Sequence, residues 1–348
     1  MPKPIHFALI GCGNIAAEHI AQINRVGVLC AVVDIQIAKA KQFSEIYQVP
    51  FFTRTADLYA SAQSFDVVVI ATPNGLHAEQ AIEALHAGYH VLVEKPMALT
   101  LQAAEAMQHA SIAAGKQLFL VMQNRFNPPV QIVYDLLQKQ ALGKIHQVQV
   151  HCFWHRPAAY YTNSWHGTLD LDGGTLFTQF SHFIDLLCWL FGPVSTVTAE
   201  LRNRLHQGLM QFEDEGELQI IFESGIHAQM AYSVNEPIAN REGSLTILSE
   251  KGTVKAGGAY LNELIIDLDD AVLAATIQQA YQALQHNAQS ANDYGSYQGS
   301  MRNHHKVYDA LVATVLHQQP YYTTIEEGKN TIALINRIYQ ARLLKSIF

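Results

Sequence analysis

One short stretch, residues 5–16 with the sequence IHFALIGCGNIA, constrains the fold of this chain more than any other. Its first six residues are mostly apolar and predict a buried strand, which the G-x-G-x-x-A spacing of Gly11, Gly13 and Ala16 follows at once. Gly11 permits a tight turn, Gly13 leaves room for a pyrophosphate near the backbone, and Ala16 lets a helix pack on the strand. Backbone N–H groups at the start of that helix would face an anion.

A second apolar run, residues 29–34, ends in Asp34 about twenty residues after the turn, where an acid can accept hydrogen bonds from ribose hydroxyls. Its charge repels a 2′-phosphate, and the following Ile35 and Gln36 provide no arginine to hold one. The sequence therefore predicts dinucleotide binding, with NAD favoured over NADP. For the glycine turn alone, the alternative is a tight turn that binds nothing.

Apolar runs alternate with helical periods up to residue 122, which predicts a doubly wound parallel sheet of the α/β class. Ligands of such sheets bind beyond the carboxyl ends of the strands. Thr72, Pro73, Asn74 and His77 follow the predicted strand 65–71, so we expect them beside the dinucleotide. The alternative is that they are ordinary turn and helix-start residues.

Glu94, Lys95 and Pro96 directly follow another predicted strand, residues 90–93. A lysine that leaves a buried strand at the ligand-bearing edge is expected to enter the cleft, where its ammonium can polarise a hydroxyl or carbonyl oxygen. The alternative is a structural ion pair between Lys95 and a neighbouring acid.

The length of 348 residues favours two domains because it exceeds the usual size of one hydrophobic core. We expect a Rossmann domain over residues 1–123 and an α+β domain over 124–348, joined at the proline-containing segment QNRFNPP. Alternating strands, predicted at 145–155, 194–201, 217–222, 226–234 and 244–248, indicate a large open, mainly antiparallel sheet. One face of such a sheet commonly pairs with a second subunit, so we expect a homodimer or homotetramer formed through this sheet.

Composition and spacing narrow the function further. The net charge of −8 argues against a nucleic-acid partner. The four cysteines lack metal-ligand spacing, and we predict no metal site. Only residues 1–4 precede the first predicted strand, and no apolar run is long enough to span a bilayer, so we expect a cytoplasmic protein without membrane contact.

Residues 172–185 (DGGTLFTQFSHFID) predict a Gly-Gly turn and one helix continuing to residue 190. Thr178, His182 and Asp185 recur at spacings of four and three, so we expect them on one face of that helix. The pattern alone favours a core histidine at position 182.

Taken together, GCGNIA, VVD, ATPNGLH, EKP and a histidine after a Gly-Gly turn resemble the family of NAD(P)-dependent sugar and inositol oxidoreductases that includes glucose–fructose oxidoreductase and inositol dehydrogenase. This resemblance implies that Lys95 lies near the nicotinamide and the substrate hydroxyl, and that the peptide bond before Pro96 is often cis. It also implies that His182 is the general base, a duty suited to an imidazole at neutral pH. Many relatives carry an aspartate where Thr178 stands, so the lysine, aspartate and histidine set is incomplete here.

Residues 178–182, the aromatic segment 155–168 and YGSYQGSMRNH at 294–304 further resemble the UDP-N-acetyl-2-amino-2-deoxyglucuronate 3-dehydrogenases of lipopolysaccharide O-antigen synthesis. That resemblance implies oxidation of a sugar 3′-hydroxyl to a ketone, and several such enzymes use 2-oxoglutarate to reoxidise bound NADH. Where relatives often have Trp-Arg, this chain has Trp165 and His166.

The residue chemistry also suits a charged nucleotide sugar. Small and hydroxyl-bearing residues at 295–303, just ahead of a predicted helix, would suit a diphosphate, although a polar surface loop has the same composition. Arg125 and Arg156 are candidates for a uronate carboxylate because a guanidinium can grip it with two parallel bonds, and either could equally form a surface ion pair.

The predicted site consists of two catalytic residues, Lys95 and His182, and two binding sets. The predicted cofactor-binding residues are Gly11, Gly13, Asn14, Ile15, Asp34, Thr72, Pro73, Asn74, His77, Glu94, Lys95, Gln123 and Trp165. The predicted substrate-binding residues are Asn124, Arg125, Arg156, Tyr160, Thr178, Gln179, His182, Ser296, Tyr297, Ser300, Arg302 and Asn303. Three functions stay open: this nucleotide-sugar dehydrogenase, a dehydrogenase of another sugar or inositol, and a non-catalytic NAD-sensing regulator, which would need neither Lys95 nor His182.

Overall fold

The computed structural model describes residues 4–285, 290–293 and 298–345. This chain divides into two compact units, one formed by the residues up to Met122 with His304–Ile332, the other by Gln123–Asn303 with the residues from Ala333 onward. The domain boundary predicted after residue 123 lies one residue beyond Met122, where the first segment of the first unit ends. The return of residues 304–332 to the first unit was not predicted, because the periodicity of a helix does not say which sheet it packs on.

The first part of the chain alternates strands and helices. Its elements are β1 (Ile5–Ile10), α1 (Ala16–Val26), β2 (Gly27–Val33), α2 (Ile37–Tyr47), β3 (Phe51–Phe52), α3 (Thr55–Tyr59), β4 (Val67–Ile70), α4 (His77–His86), β5 (His90–Val93), α5 (Leu101–Ala114) and β6 (Leu118–Leu120), with a 3₁₀ turn at Asn74–Leu76.

The second part begins with a 3₁₀ turn at Gln123–Phe126. Its elements are α6 (Pro128–Gln138), β7 (Ile145–Phe153), α7 (Ala158–Tyr161), α8 (Thr175–Thr178), α9 (Ser181–Phe191), β8 (Val194–Arg202), β9 (Glu215–Phe222), β10 (His227–Ser233), β11 (Glu242–Ser249), β12 (Gly252–Gly257), β13 (Glu263–Leu268), α10 (Ala271–Gln285), β14 (Ala291–Asp293), β15 (Gln298–Met301), α11 (His304–His317) and α12 (Ile325–Lys345).

The sheet of the first unit has the strand order β3-β2-β1-β4-β5-β6, and its described pairs are all parallel. This is the strand order of a dinucleotide-binding sheet. Strands β2 and β3 are added on one side of β1 and strands β4 to β6 on the other, so the strand order reverses between β1 and β4. Every residue of β4 is buried, as expected for a parallel strand covered by helices on both faces. The Rossmann fold predicted from the sequence is confirmed.

The second unit contains a seven-stranded sheet in the order β13-β12-β11-β7-β10-β9-β8. Only β7 and β10 pair in parallel among its described strands, so the prediction of a mainly antiparallel sheet is confirmed. Along β9, buried and more exposed residues alternate, which gives the sheet one apolar face. Within the described part of the chain, no helix is both long and apolar enough to cross a membrane.

The single helix predicted after the Gly-Gly turn is wrong, because the chain forms two helices, α8 and α9. The Thr178 hydroxyl donates to the Asp172 carboxylate, and the Phe180 N–H bonds to the Thr175 carbonyl at 3.3 Å, one residue beyond the α-helical spacing. Thr178 therefore does not share a helix face with His182. Helices α5 and α10 and the pair β12 and β13 were not predicted.

Candidate functional site

The turn between β1 and α1 has the predicted geometry. Gly11 has a φ of +100°, and a Cβ added there would lie 2.5 Å from the carbonyl oxygen of Ala71. Only glycine therefore fits this turn without a shift of the backbone. A Cβ added at Gly13 would meet nothing within 4 Å. This open space at the start of α1 fits a dinucleotide pyrophosphate, because the backbone N–H groups there favour an anion.

Asp34, at the end of β2, is held by that same turn. One carboxylate oxygen accepts the Cys12 N–H at 2.8 Å, and the other accepts the Gln36 N–H at 2.8 Å. A carboxylate can accept about four hydrogen bonds, so these two fix its orientation and leave capacity for ribose hydroxyls. The position and the charge of Asp34 fit an NAD ribose.

His77, at the start of α4, is buried and hydrogen-bonded at both ring nitrogens. Its Nδ1 lies 2.7 Å from the carbonyl oxygen of Pro96, and its Nε2 lies 2.9 Å from that of Thr72. Burial lowers the pKa of His77, and the two carbonyl contacts oppose that effect. The ring thus ties the loop after β4 to the loop after β5. Its predicted contact with the cofactor stays a prediction.

Beyond β5, the peptide bond between Lys95 and Pro96 is cis, as the family resemblance implied. Glu94 points into the interior, with 7% of its surface exposed, and its Oε2 accepts the Lys95 N–H at 3.0 Å. Glu94 thus holds the backbone of Lys95, and its predicted contact with the cofactor stays a prediction. Lys95 itself is half-buried.

In the second unit, the turn at Gln123–Phe126 turns its polar side chains toward the protein interior. The guanidinium of Arg125 forms two hydrogen bonds, of 2.8 and 2.6 Å, with the carboxylate of Asp185, and both side chains are 2% exposed. It also lies 4.8 Å from the centre of the Trp189 ring. Arg125 therefore forms a buried ion pair rather than a surface one, and its predicted contact with the substrate stays a prediction. Asn124 is buried too, and Gln123 donates to the hydroxyl of Ser300 at 3.0 Å.

Arg156 is likewise engaged by the protein. Its Nε donates to the Gln179 side-chain oxygen at 2.8 Å, and one terminal nitrogen donates to Asn240 at 3.2 Å. The Gln179 amide in turn donates to the hydroxyl of Tyr160 at 2.9 Å. Arg156 is 3% exposed and supports Gln179, which in turn holds Tyr160, while its predicted contact with a uronate stays a prediction.

Aromatic rings continue this network. The ring centroids of Trp165 and His166 lie 3.9 Å apart, and the ring centroids of His166 and Tyr160 lie 4.0 Å apart. The hydroxyl of Ser164 lies 2.6 Å from Nδ1 of His166. The imidazole of His166 is thus packed against two larger rings, at distances that suit aromatic contact. The predicted cofactor contact of Trp165 stays a prediction.

His182 lies in the first turn of α9 and is 2% exposed. Asp185 follows one turn later on the same helix, where it holds Arg125. The proposed base is therefore anchored on a helix whose next turn is fixed by a buried ion pair. Its role as base stays a prediction that rests on the family resemblance.

The segment predicted to cradle a diphosphate is only partly described. Ser296 and Tyr297 lie outside the described residues. Asn303 donates to the side-chain oxygen of Asn127 at 2.7 Å, and Arg302 donates to that of Asn292 at 3.3 Å. These contacts belong to the second unit, and binding of a diphosphate here stays a prediction.

Sequence reasoning missed several residues that brace the site. The buried carboxylate of Asp214 accepts the Leu205 N–H at 2.7 Å and lies 3.2 Å from Nδ1 of His206, whose Nε2 lies 3.0 Å from the Arg156 carbonyl. Burial raises the pKa of Asp214, but these and neighbouring hydrogen bonds outweigh it and leave the pKa well below its usual range. The only sequence signal was a run of three acids, residues 213–215, between two predicted strands.

A second omission concerns metal-ligand residues. The sequence predicted no cluster of them, but ligand atoms of His19, Glu94 and His304, all in the first unit, lie within 4.8 Å of one another. Since these residues are up to 285 positions apart in the chain, no local spacing could indicate the cluster.

Comparison with known proteins gives the chain its relatives. Residues 5–122 match the model of an oxidoreductase family with an NAD-binding Rossmann fold, and residues 130–255 match the GFO/IDH/MocA C-terminal domain. The chain spans about half the length of the curated relatives it matches. One of these is glucose-6-phosphate 3-dehydrogenase of Bacillus subtilis, 26% identical over 60% of this chain and 59% of that protein.

Two solved structures match over almost the full length. The WlbA dehydrogenase of Bordetella pertussis, in complex with NADH and UDP-GlcNAcA, is 32% identical with a TM-score of 0.87. The WlbA dehydrogenase of Chromobacterium violaceum, in complex with the same two molecules, is 32% identical with a TM-score of 0.85. Each match covers 98% of this chain and 96% of the other.

Proposed function

The chain belongs to the GFO/IDH/MocA family of oxidoreductases and contains its NAD-binding Rossmann domain, and from this premise we propose that it oxidises the 3′-hydroxyl of UDP-N-acetylglucosaminuronate to a ketone. The observation that carries the proposal is the similarity, over nearly the whole chain, to two dehydrogenases whose structures contain NADH and UDP-GlcNAcA. Under this proposal the enzyme acts in the cytoplasm, in lipopolysaccharide O-antigen sugar synthesis.

The chain's own residues divide the proposed chemistry between them. The turn at Gly11 and Gly13 and the carboxylate of Asp34 would hold NAD, which when bound supplies the acceptor for a hydride. His182 accepts the proton of the substrate hydroxyl. Lys95 donates a hydrogen bond to the oxygen on which negative charge develops, which stabilises the transition state. The carbon loses its hydride as the C=O bond forms, so both electrons and the proton are accounted for.

One observation favours a second candidate, a dehydrogenase of a sugar that lacks a carboxylate. Both arginines predicted to hold the uronate have protein acceptors, Asp185 for Arg125 and Gln179 with Asn240 for Arg156. A uronate would need a further cationic partner or a rearrangement of these contacts. A sugar phosphate, the substrate class named for the relative from Bacillus subtilis, carries its negative charge elsewhere.

Substrate assays separate these candidates. Purified protein is mixed with NAD and, separately, UDP-N-acetylglucosaminuronate, UDP-N-acetylglucosamine, glucose 6-phosphate or an inositol, and NADH is followed by its absorbance. Turnover of the uronate alone supports the main proposal, and turnover of an uncharged or phosphorylated sugar alone supports the second candidate. Binding of NADH without turnover of any of them favours the non-catalytic regulator. Added 2-oxoglutarate should restore NAD if the chain recycles bound NADH, and light scattering should report a dimer or tetramer.

Two variants test the catalytic residues. His182→Asn and Lys95→Ala should abolish turnover while NADH still binds, because each removes a proposed catalytic group and leaves the glycine turn and Asp34 unchanged. His227→Asn and Lys41→Ala change an exposed histidine and an exposed lysine and serve as matched controls. Wild-type turnover by either test variant would remove that residue from the mechanism.

A further inference from the structure

A buried polar cluster surrounds Glu94, the residue before Lys95 in the first unit, and we call it the Glu94 cluster. It consists of Glu94, His19 on α1, and His304 and Tyr308 on α11. His19, His304 and Tyr308 have no exposed surface. The Nε2 atoms of His19 and His304 lie 3.1 and 3.2 Å from the same carboxylate oxygen, Oε1 of Glu94. The sequence brings together residues 210 positions apart to hold this one oxygen.

The chemistry of the groups fixes the direction of each hydrogen bond. Burial raises the pKa of Glu94, but the hydrogen bonds from His19 and His304 outweigh it and hold the pKa well below its usual range. The carboxylate is therefore ionised and can only accept. Both Nε2 atoms must then be N–H donors. Burial lowers the pKa of His19, so its ring is neutral and its Nδ1 accepts the hydroxyl of Tyr308 at 2.9 Å.

The other carboxylate oxygen, Oε2, accepts the backbone N–H of Lys95 at 3.0 Å. The two imidazoles thus fix Oε1, and the rigid carboxylate passes that constraint to the peptide that carries Lys95. A buried carboxylate with several charge-assisted hydrogen bonds is a strong anchor, since each such bond is worth about 1.5–3 kcal/mol.

We propose that the Glu94 cluster is a positioning device that orients Lys95, with His19 and His304 as positioning residues in the reaction. The proposal rests on the proposed function, because it assigns the cluster to the lysine that acts on the substrate oxygen. It goes further in naming residues on α1 and α11 that touch neither substrate nor cofactor yet set the rate.

The same three ligand atoms suggest a rival, a divalent metal site. A metal-ligating histidine usually donates its second ring N–H to an acceptor. For His19, the Tyr308 hydroxyl could serve as that acceptor if the ring changed tautomer, but Nδ1 of His304 has no hydrogen-bond partner among the described residues. Each Nε2 also lies at hydrogen-bond distance from the carboxylate oxygen, so this oxygen and both Nε2 atoms have partners without an ion. The hydrogen-bonded cluster is the better account.

The test compares variants that keep or remove a donor. In His304→Gln the amide nitrogen can replace Nε2 as a donor to Glu94. His304→Leu has no donor. Glu94→Gln presents an N–H where an acceptor is needed. We expect Glu94→Gln and His304→Leu to lower kcat at least about tenfold, or 1.4 kcal/mol in activation free energy, with little change in the NADH dissociation constant. His304→Gln should recover most of the rate. Glu83→Gln, which alters a carboxylate outside the cluster that accepts the Thr55 hydroxyl at 2.7 Å, is the control.

A second readout does not depend on the substrate. An amine-reactive reagent acetylates Lys95, and mass spectrometry of the Lys95 peptide gives the rate of this acetylation. This rate should differ from the wild-type rate in Glu94→Gln and His304→Leu and should equal it in Glu83→Gln. If the wild type turns over no sugar, the proposed function fails while this readout still tests the cluster. Tyr308→Phe, the mildest change, keeps the test available if a harsher variant does not fold.

Three results would overturn the proposal. Wild-type labelling of Lys95 in folded Glu94→Gln and His304→Leu would show that the cluster does not orient it. Equal kcat in His304→Leu and His304→Gln would show that the donor is irrelevant. One equivalent of tightly held metal in the wild-type protein, lost in His304→Leu, would establish the metal site instead.

Discussion

Two glycines of the same turn are expected to respond in opposite ways to alanine. At Gly11 the added Cβ would lie 2.5 Å from the carbonyl oxygen of Ala71, the residue that follows β4, and φ is +100°. The strained φ costs about 1–3 kcal/mol, and the overlap adds to it because only a movement of β4 can relieve it. We expect Gly11→Ala to lower the free energy of unfolding by about 3–5 kcal/mol, the range of severe single substitutions.

Gly88 provides the control for the backbone term. Its φ is +90°, but a Cβ there would meet nothing within 4 Å. Gly88→Ala should therefore cost only the strain, about 1–3 kcal/mol, and the difference between the two variants isolates the overlap at Ala71.

Gly13 has open space and no left-handed φ. Gly13→Ala should leave the apoprotein as stable as the wild type, or raise its stability by about 0.4–1 kcal/mol by restricting the unfolded chain. A methyl group at this position would instead occupy the space predicted for the pyrophosphate. We expect NADH affinity to fall at least about tenfold, which is 1.4 kcal/mol of binding free energy.

Urea denaturation of the apoproteins measures the three stabilities, and NADH fluorescence titration measures binding. An independent check is stabilisation by ligand: NADH at about 100 times its dissociation constant should stabilise the wild type and Gly88→Ala by about 2.7 kcal/mol, and Gly13→Ala far less. Equal stability of Gly11→Ala and Gly88→Ala would refute the close approach to β4. Wild-type NADH binding by Gly13→Ala would refute the position of the pyrophosphate.

Three further predictions follow from buried charges and polar groups. Asp185→Ala leaves the buried Arg125 guanidinium without its carboxylate and should cost about 3–5 kcal/mol in urea denaturation, whereas a cost below about 1 kcal/mol would show that the pair is solvated. Asp34→Ala removes both the ribose acceptor and the charge that repels a 2′-phosphate, so the ratio of the KM for NADP to the KM for NAD should fall; an unchanged ratio would exclude Asp34 from cofactor choice. Burial lowers the pKa of His19 and His77 below 6.5, so on acidification through that value the unfolded chain takes up protons before the native one does. The free energy of unfolding should therefore fall as the pH drops below about 6.5, by up to about 1.4 kcal/mol per pH unit for each histidine, and urea midpoints that stay flat between pH 7 and pH 5 would contradict this.

The parts of the fold that depend on local pattern could be predicted. Strand β5 was predicted at its observed bounds, and β1 with its glycine turn followed from an apolar run and three small residues. The break between α8 and α9 could not be predicted, because the sequence there is continuously helical in period. It depends on the hydroxyl of Thr178, which bonds to a carboxylate six positions earlier in the loop.

The sequence could not show which protein groups the predicted site residues contact. Polar residues near strand ends were assigned to ligands, and four of them, Glu94, His77, Arg125 and Arg156, also have protein partners that were not predicted. A charge removed from water needs a partner, and for Arg125 that partner is 60 positions away. Periodicity gives the face on which a residue lies and carries no information about which distant group meets it.

The protein partners of these side chains indicate which residues position others within the site. A side chain whose donors and acceptors are engaged by buried partners is held in one orientation, and it is better suited to hold a neighbour than to change partners during a reaction. Glu94 illustrates this, since both of its oxygens are engaged and the residue it holds is the next one in the chain, Lys95. Rigid support one residue away from a reacting group is a means of keeping that group within the small tolerance that catalysis requires. The polar motif EKP therefore encodes two different functions in adjacent positions, an anchor at Glu94 and the proposed reacting group at Lys95.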